Sequence, residues 1–259
     1  MKKNFILGVT NFIFLLATLT VNYLANALPI NNKTTGEISD KFEVLFKPAG
    51  YAFSIWGLIY LGLLLFGIYQ LLPQGKKSGV VGKIGLFFIL SCLANIGWLL
   101  DWHYELYTLS VIVMLILLFS LIKIYLNLEI GIAEVSLKEK WLVHQPFSLY
   151  LGWISVATIA NITVYLQWQN WNGFGLSPVF WFILVSIVGL TLSFYISLTR
   201  MDYIFNLVIL WAYIAVAVHN SNVDTVSIIS KIISGLAFLP VIISISLQTI
   251  SHRQKNNYY

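Results

Sequence analysis

Lys47 to Gln70 reads KPAGYAFSIWGLIYLGLLLFGIYQ, a lysine and a proline followed by an uncharged run rich in rings and glycine. Proline fixes its own φ and lacks an N–H, which suits the first turn of a helix, where amides have no partner within the helix. The stretch predicts a membrane helix starting near Ala49. At 3.6 residues per turn Phe53, Trp56 and Tyr60 share one face, while Gly57, Gly62 and Gly67 leave room for a close neighbour. Rings on a membrane helix serve packing and interfacial anchoring as well as ligand contact, so this face needs partners on other helices before it reads as a site.

The rest of the chain has the same character. Its 259 residues are 59% hydrophobic and 10% charged, with a mean hydropathy of +0.83, too apolar for an ordinary soluble domain. Crossing about 30 Å of hydrocarbon as a helix takes about twenty apolar residues, and eight runs qualify: 5–25, 49–71, 83–101, 105–127, 144–166, 178–199, 203–219 and 226–250. No short alternating strands of the barrel type occur in the sequence. The expected fold class is therefore all-α, a polytopic membrane bundle of eight helices.

Positive charge orients these spans, because short cytoplasmic loops hold the excess of Lys and Arg. With both termini cytoplasmic, the inner segments hold Lys2, Lys3, Lys76, Lys77, Lys83, Lys123, Lys138, Lys140, Arg200, Arg253 and Lys255, and the outer ones only Lys33, Lys41, Lys47 and Lys231. The acids agree, with Glu37, Asp40, Glu43, Asp101, Glu105 and Asp224 outward. The net charge of +5 thus reflects topology and lipid contact, not nucleic-acid binding; a cell inner membrane is the expected location. Lys2, Lys3 and Ala25-Asn26-Ala27 imitate a cleavable signal, but the apolar run between them is nearer twenty residues than the ~7–15 of a signal core, so a retained helix is expected. The single cysteine, Cys92, excludes an intrachain disulfide and reads as a packing residue.

Two further spans bear polar stripes. Ser91, Asn95, Trp98 and Trp102 recur at spacings of 4, 3 and 4, and Pro146, Tyr150, Trp153, Ala157 and Asn161 at 4, 3, 4 and 4. Polar groups in hydrocarbon face protein, cavity or water; each asparagine can be helix glue or a ligand contact. Together with the Phe53, Trp56 and Tyr60 face, these stripes would line a pocket of π surfaces with few donors, suited to a large planar or rigid apolar ligand. The 28–47 connection, with an amphipathic piece around Ile38 to Phe46, either covers that opening or is a plain solvated loop.

Three segments, KPAGYAFSIWGLIYLGLLLFGIYQ, NIGWLLDWHYELYTLSVIVML and QPFSLYLGWISVATIANITVYL, resemble in order and spacing the TspO/MBR family of tryptophan-rich sensory and translocator proteins. The resemblance covers residues 1 to about 168. It implies a five-helix bundle whose pocket opens beneath the first loop and binds porphyrins and sterol-like molecules, in a protein often homodimeric. It also implies that Trp56 and Trp153 are pocket tryptophans, with Asn95, Trp98, Tyr150 and Asn161 at other characteristic positions. The chain departs from the family at Pro48-Ala49-Gly50-Tyr51-Ala52-Phe53, where a tryptophan and double-proline signature is expected, and at Phe147, where a tyrosine is expected. Three helices follow the five.

Residues 169–259 form this extension, after an uncharged turn QWQNWNGFGLS at 167–177. Asp202, Asn206, Tyr213 and Asn220 recur near one face of its second span and either dock it on the first five helices or bind a second ligand; Pro240 is placed to kink the last span. The four histidines lack metal-ligand spacing, and phosphate loop, serine elbow and paired intramembrane carboxylates are missing from the sequence. No cofactor is expected. The leading expectation is a receptor or carrier for a tetrapyrrole or similar flat molecule, with Phe53, Trp56, Tyr60, Asn95, Trp98, Tyr150, Trp153 and Asn161 in contact with it. The alternatives are a photo-oxidative porphyrin-degrading enzyme and a structural membrane subunit.

Overall fold

The computed structural model describes residues 2–28 and 30–256. Among the charges used for topology, the side chains of Lys2, Lys3, Asp224, Arg253 and Lys255 lie outside the described residues, as does that of Asn26.

All eight apolar runs are helical, and no strand occurs among the described residues. The main helices are α1 (Lys2–Ala27), α2 (Ile55–Tyr69), α3 (Phe87–His103), α4 (Tyr107–Asn127), α5 (Gln145–Trp168), α6 (Pro178–Arg200), α7 (Tyr203–His219), α8 (Asp224–Leu236) and α9 (Phe238–Asn256). Six helical stretches among the described residues are long and apolar enough to cross a membrane; α3 and α7, at 17 residues each, are shorter. The protein is an all-α polytopic membrane bundle.

Several boundaries differ from the sequence expectation for local reasons. The helix expected from Ala49 opens as a 3-10 turn, Gly50–Ser54, and becomes α-helical only at Ile55. The third span starts at Phe87 and not at 83, because Gly79 and Gly85 adopt φ of 74° and 59°, left-handed values that interrupt a helix. Lys140–His144, just before α5, is a π turn in which the Gln145 N–H reaches back to the Lys140 carbonyl. Pro146 explains it: without an N–H, and with its ring against the carbonyl four residues back, proline disfavours regular α geometry there. The last span divides at Ala237, three residues before Pro240, which cannot donate to Leu236.

The first five helices close a ring. α1 packs on α2 and α3, α3 on α4, α4 on α5, and α5 returns to α2. Gly62 and Gly67 serve the close approaches expected of them: a Cβ at Gly62 would lie 3.2 Å from Pro146 Cβ, and one at Gly67 2.8 Å from Leu15. Gly57 faces open space.

The extension centres on α7, which packs against α5, α6, α8 and α9. Asp202 caps α7 by accepting from the amides of Ile204 and Phe205, and also accepts from Tyr125 (2.9 Å) on α4 and Ser148 (2.6 Å) on α5. Asn220 donates to the Leu45 carbonyl at 2.9 Å. These two residues dock the extension on the ring; Asn206 and Tyr213 bond within it, to Ser193, Ser244 and the Ser186 carbonyl.

Candidate functional site

The sequence-predicted residues converge inside the ring. Trp56 stacks on Tyr60 with centroids 5.2 Å apart and meets Tyr150 (5.9 Å) and Trp153 (6.3 Å) edge-on; Phe53 adds an edge contact to Trp153 at 5.9 Å. Trp98 stacks on Trp102 at 5.7 Å. Between these groups lies a recess of about 450 Å³, counting its open part, lined by Phe53, Trp56, Trp98, Trp102, Trp153 and Asn161 together with Thr35, Pro48, Val156, Ala157 and Ala160. Its enclosed part is only about 40 Å³, well below the about 300–1,000 Å³ usual for small-molecule sites, so a large ligand requires the walls and the cover to move apart.

Tyr60, Asn95 and Tyr150 stand behind this wall instead of in it. Tyr60 donates to Asn22 Oδ1 at 2.6 Å, Asn22 donates to Asn95 Oδ1 at 2.7 Å, and Asn95 donates to the Tyr150 hydroxyl at 2.9 Å. The relay joins α2, α1, α3 and α5. A second relay runs from Trp98 Nε1 to Asn161 Oδ1 and from Asn161 Nδ2 to Ser110 Oγ, each 3.0 Å, joining α3, α5 and α4. Both asparagines are buried, at 1% and 3% exposure, and hold helices together through these bonds. Trp153 differs: it is 2% exposed, lines the recess, and its indole N–H has no acceptor among the described residues.

Asn22 was missed in the sequence, although Asn11, Thr18 and Asn22 recur at 7 and 4 along α1 and form a polar stripe like those of α3 and α5. Trp102 belongs to the stripe of α3, and its place in the wall follows from its stacking on Trp98.

The 28–47 connection lies over the recess. Its helix falls at Thr35–Asp40, earlier than the amphipathic piece expected at 38–46, because Thr34 and Glu37 form a reciprocal capping box. Trp102 Nε1 donates to the Thr35 carbonyl at 3.2 Å, tying this cover to the wall. Lys33 (2.6 Å) and Lys41 both donate to Glu105 in the turn between α3 and α4. Those bonds, Lys33 first, hold the Glu105 carboxyl below the usual carboxylate range, and Glu105 in turn raises the Lys33 ammonium. Lys47 is buried, donating to Asp40 (3.0 Å) and to the carbonyls of Ser39 (3.3 Å) and Phe42 (3.2 Å).

The sequence model for TSPO-like proteins matches residues 8–243, so the match runs past residue 168 through α6, α7 and α8 and into α9. No curated protein and no solved structure matches the chain.

Proposed function

The chain belongs to the TSPO-like protein family, and from that premise we propose that it binds a flat, largely apolar molecule of the tetrapyrrole class in the recess, as a sensor or carrier. The observation that supports this reading is Trp153: a buried N–H without an acceptor is a costly thing to retain in an apolar wall. A ligand bearing an acceptor on one edge would satisfy it, while Trp56, Trp98 and Phe53 cover its faces. The polar groups of Trp98, Trp102 and Asn161 in the wall already have protein partners, so they are not free for a ligand. Entry of a macrocycle requires the Thr35–Asp40 cover to lift from Trp102. By the distribution of lysine and arginine, the cover end faces away from the cytoplasm.

A second reading, a structural subunit without ligand, is favoured by the amide relays, which use Asn95 and Asn161 as helix glue. One titration separates the two. Purified protein is titrated with protoporphyrin IX, following tryptophan fluorescence, in the parent chain and in Trp56→Phe and Trp153→Phe. Saturable quenching weakened by either substitution supports a pocket. Non-saturating quenching that is identical in all three proteins overturns it.

A further inference from the structure

The extension reaches the recess. Helix α7 contacts both the 3-10 turn Gly50–Ser54, which presents Phe53, and the residue before it, Ala49. The Ala49 amide donates to the Ala215 carbonyl at 3.0 Å, Trp211 Nε1 donates to the Ala52 carbonyl at 3.3 Å, and Tyr51 meets the Trp211 ring edge-on at 5.3 Å. Trp211 and Ala215 are four apart on α7 and so lie on one face. The turn has no side-chain cap of its own at Ala49. Its polar backbone, adjoining an apolar recess, depends on these bonds for satisfaction.

The same helix also sets the opposite wall. A Cβ on Gly152 would lie 3.0 Å from Val208 Cβ and 3.2 Å from the Phe205 carbonyl, so α5 and α7 approach backbone to backbone beside Trp153. Phe53 follows Ala52 directly, and Trp153 follows Gly152 directly. One rigid element thus fixes both members of the Phe53–Trp153 edge contact.

We propose that the C-terminal helices α6–α9 are a built-in partner of the pocket, and that Trp211 is the residue that positions Phe53 over Trp153. This deepens the ligand-binding reading and rests on it for the affinity readout, but not for the backbone readout. The geometry has a direct consequence: loosening α7 at Trp211 frees the 49–54 turn while leaving the amide relays of the ring intact, because none of their hydrogen bonds involves Trp211.

The test uses the full chain in lipid nanodiscs, as parent, Trp211→Phe and Trp211→Ala. Amide hydrogen exchange is followed over 49–54 and, as internal control, over α3 and α4. Trp211→Phe removes the N–H and keeps a ring, so exchange at 49–54 rises about fivefold to tenfold, the loss of one hydrogen bond. Trp211→Ala raises it further, and the control helices do not change. Protoporphyrin IX affinity falls in the same order, and Trp211→Ala adds little to the loss already caused by Phe53→Leu, because both act through one ring. Unchanged exchange at 49–54 overturns the proposal, as does equal acceleration throughout the bundle. Affinity losses that simply add also overturn it. If the parent shows no saturable binding, the ligand reading fails by itself, and the exchange pattern alone decides whether Trp211 positions the turn.

Discussion

Trp98 donates its indole N–H to the side-chain oxygen of Asn161 at 3.0 Å, and the amide nitrogen of Asn161 passes the bond on to Ser110. Asn161 therefore orients a wall of the recess and does not reach into it as a free hydrogen-bonding group. Asn161→Leu strands the Trp98 N–H, while the Ser110 hydroxyl keeps its bond to the Tyr107 carbonyl at 2.8 Å. Thermal unfolding in detergent should show a loss of about 1–2 kcal/mol, and ligand affinity should fall through the Trp98 ring, which loses its anchor.

Trp153 gives the opposite result. Its N–H has no partner among the described residues to lose, and relief of a buried unpaired donor offsets the packing lost with the smaller ring, so Trp153→Phe should leave the unfolding temperature nearly unchanged. Binding should weaken about tenfold for a porphyrin bearing carboxylates, and much less for an alkyl porphyrin without them. Equal weakening for both would assign Trp153 a stacking role alone.

Two glycines separate packing from propensity. Gly152→Leu drives α5 from α7, since even a Cβ meets Val208 at 3.0 Å, and should cost about 1–3 kcal/mol in the same unfolding assay. Gly57→Ala meets nothing within 4 Å and should be neutral or stabilising by up to about 1 kcal/mol, as helix propensity dictates.

The Lys33–Glu105–Lys41 contact makes the cover sensitive to acid. Glu105 has its carboxyl depressed in the folded state, so its contribution is present above the ordinary glutamate value of about 4.3 and is lost as pH falls through the lower folded value. Limited proteolysis within 30–47 should be slow and flat from neutral pH down to about 5 and faster in stronger acid, read with an acid-stable protease. Glu105→Gln should speed cleavage at neutral pH and remove the part of the pH dependence that this contact carries, leaving only the part due to Glu37, whose carboxyl the Thr34 bonds also hold low.

Much of this arrangement was legible in the sequence. Stripes at spacings of three and four survive because a helix turns them into faces, so the rings of Phe53, Trp56, Trp98 and Trp153 could be brought together on paper. What could not be read was how each polar group is used. Asn95 looks equally apt for ligand or glue until Asn22, 73 residues earlier, is seen beside it. The bond from Trp211 to the Ala52 carbonyl spans 159 residues and leaves no periodic trace. Breaks at Gly79, Gly85, Ala237 and the π turn before Pro146 depend on backbone competition that hydropathy does not register.

The closure of the ring by α5 against α2 bears on how the protein is made. Synthesis proceeds from the N-terminus, so Trp56 and Tyr60 leave the ribosome well before Tyr150 and Trp153, and until then their face lacks the α5 rings that cover it. The recess is absent from every nascent intermediate shorter than about two thirds of the chain. Quality control that senses unsatisfied intramembrane surface has its longest opportunity during that interval.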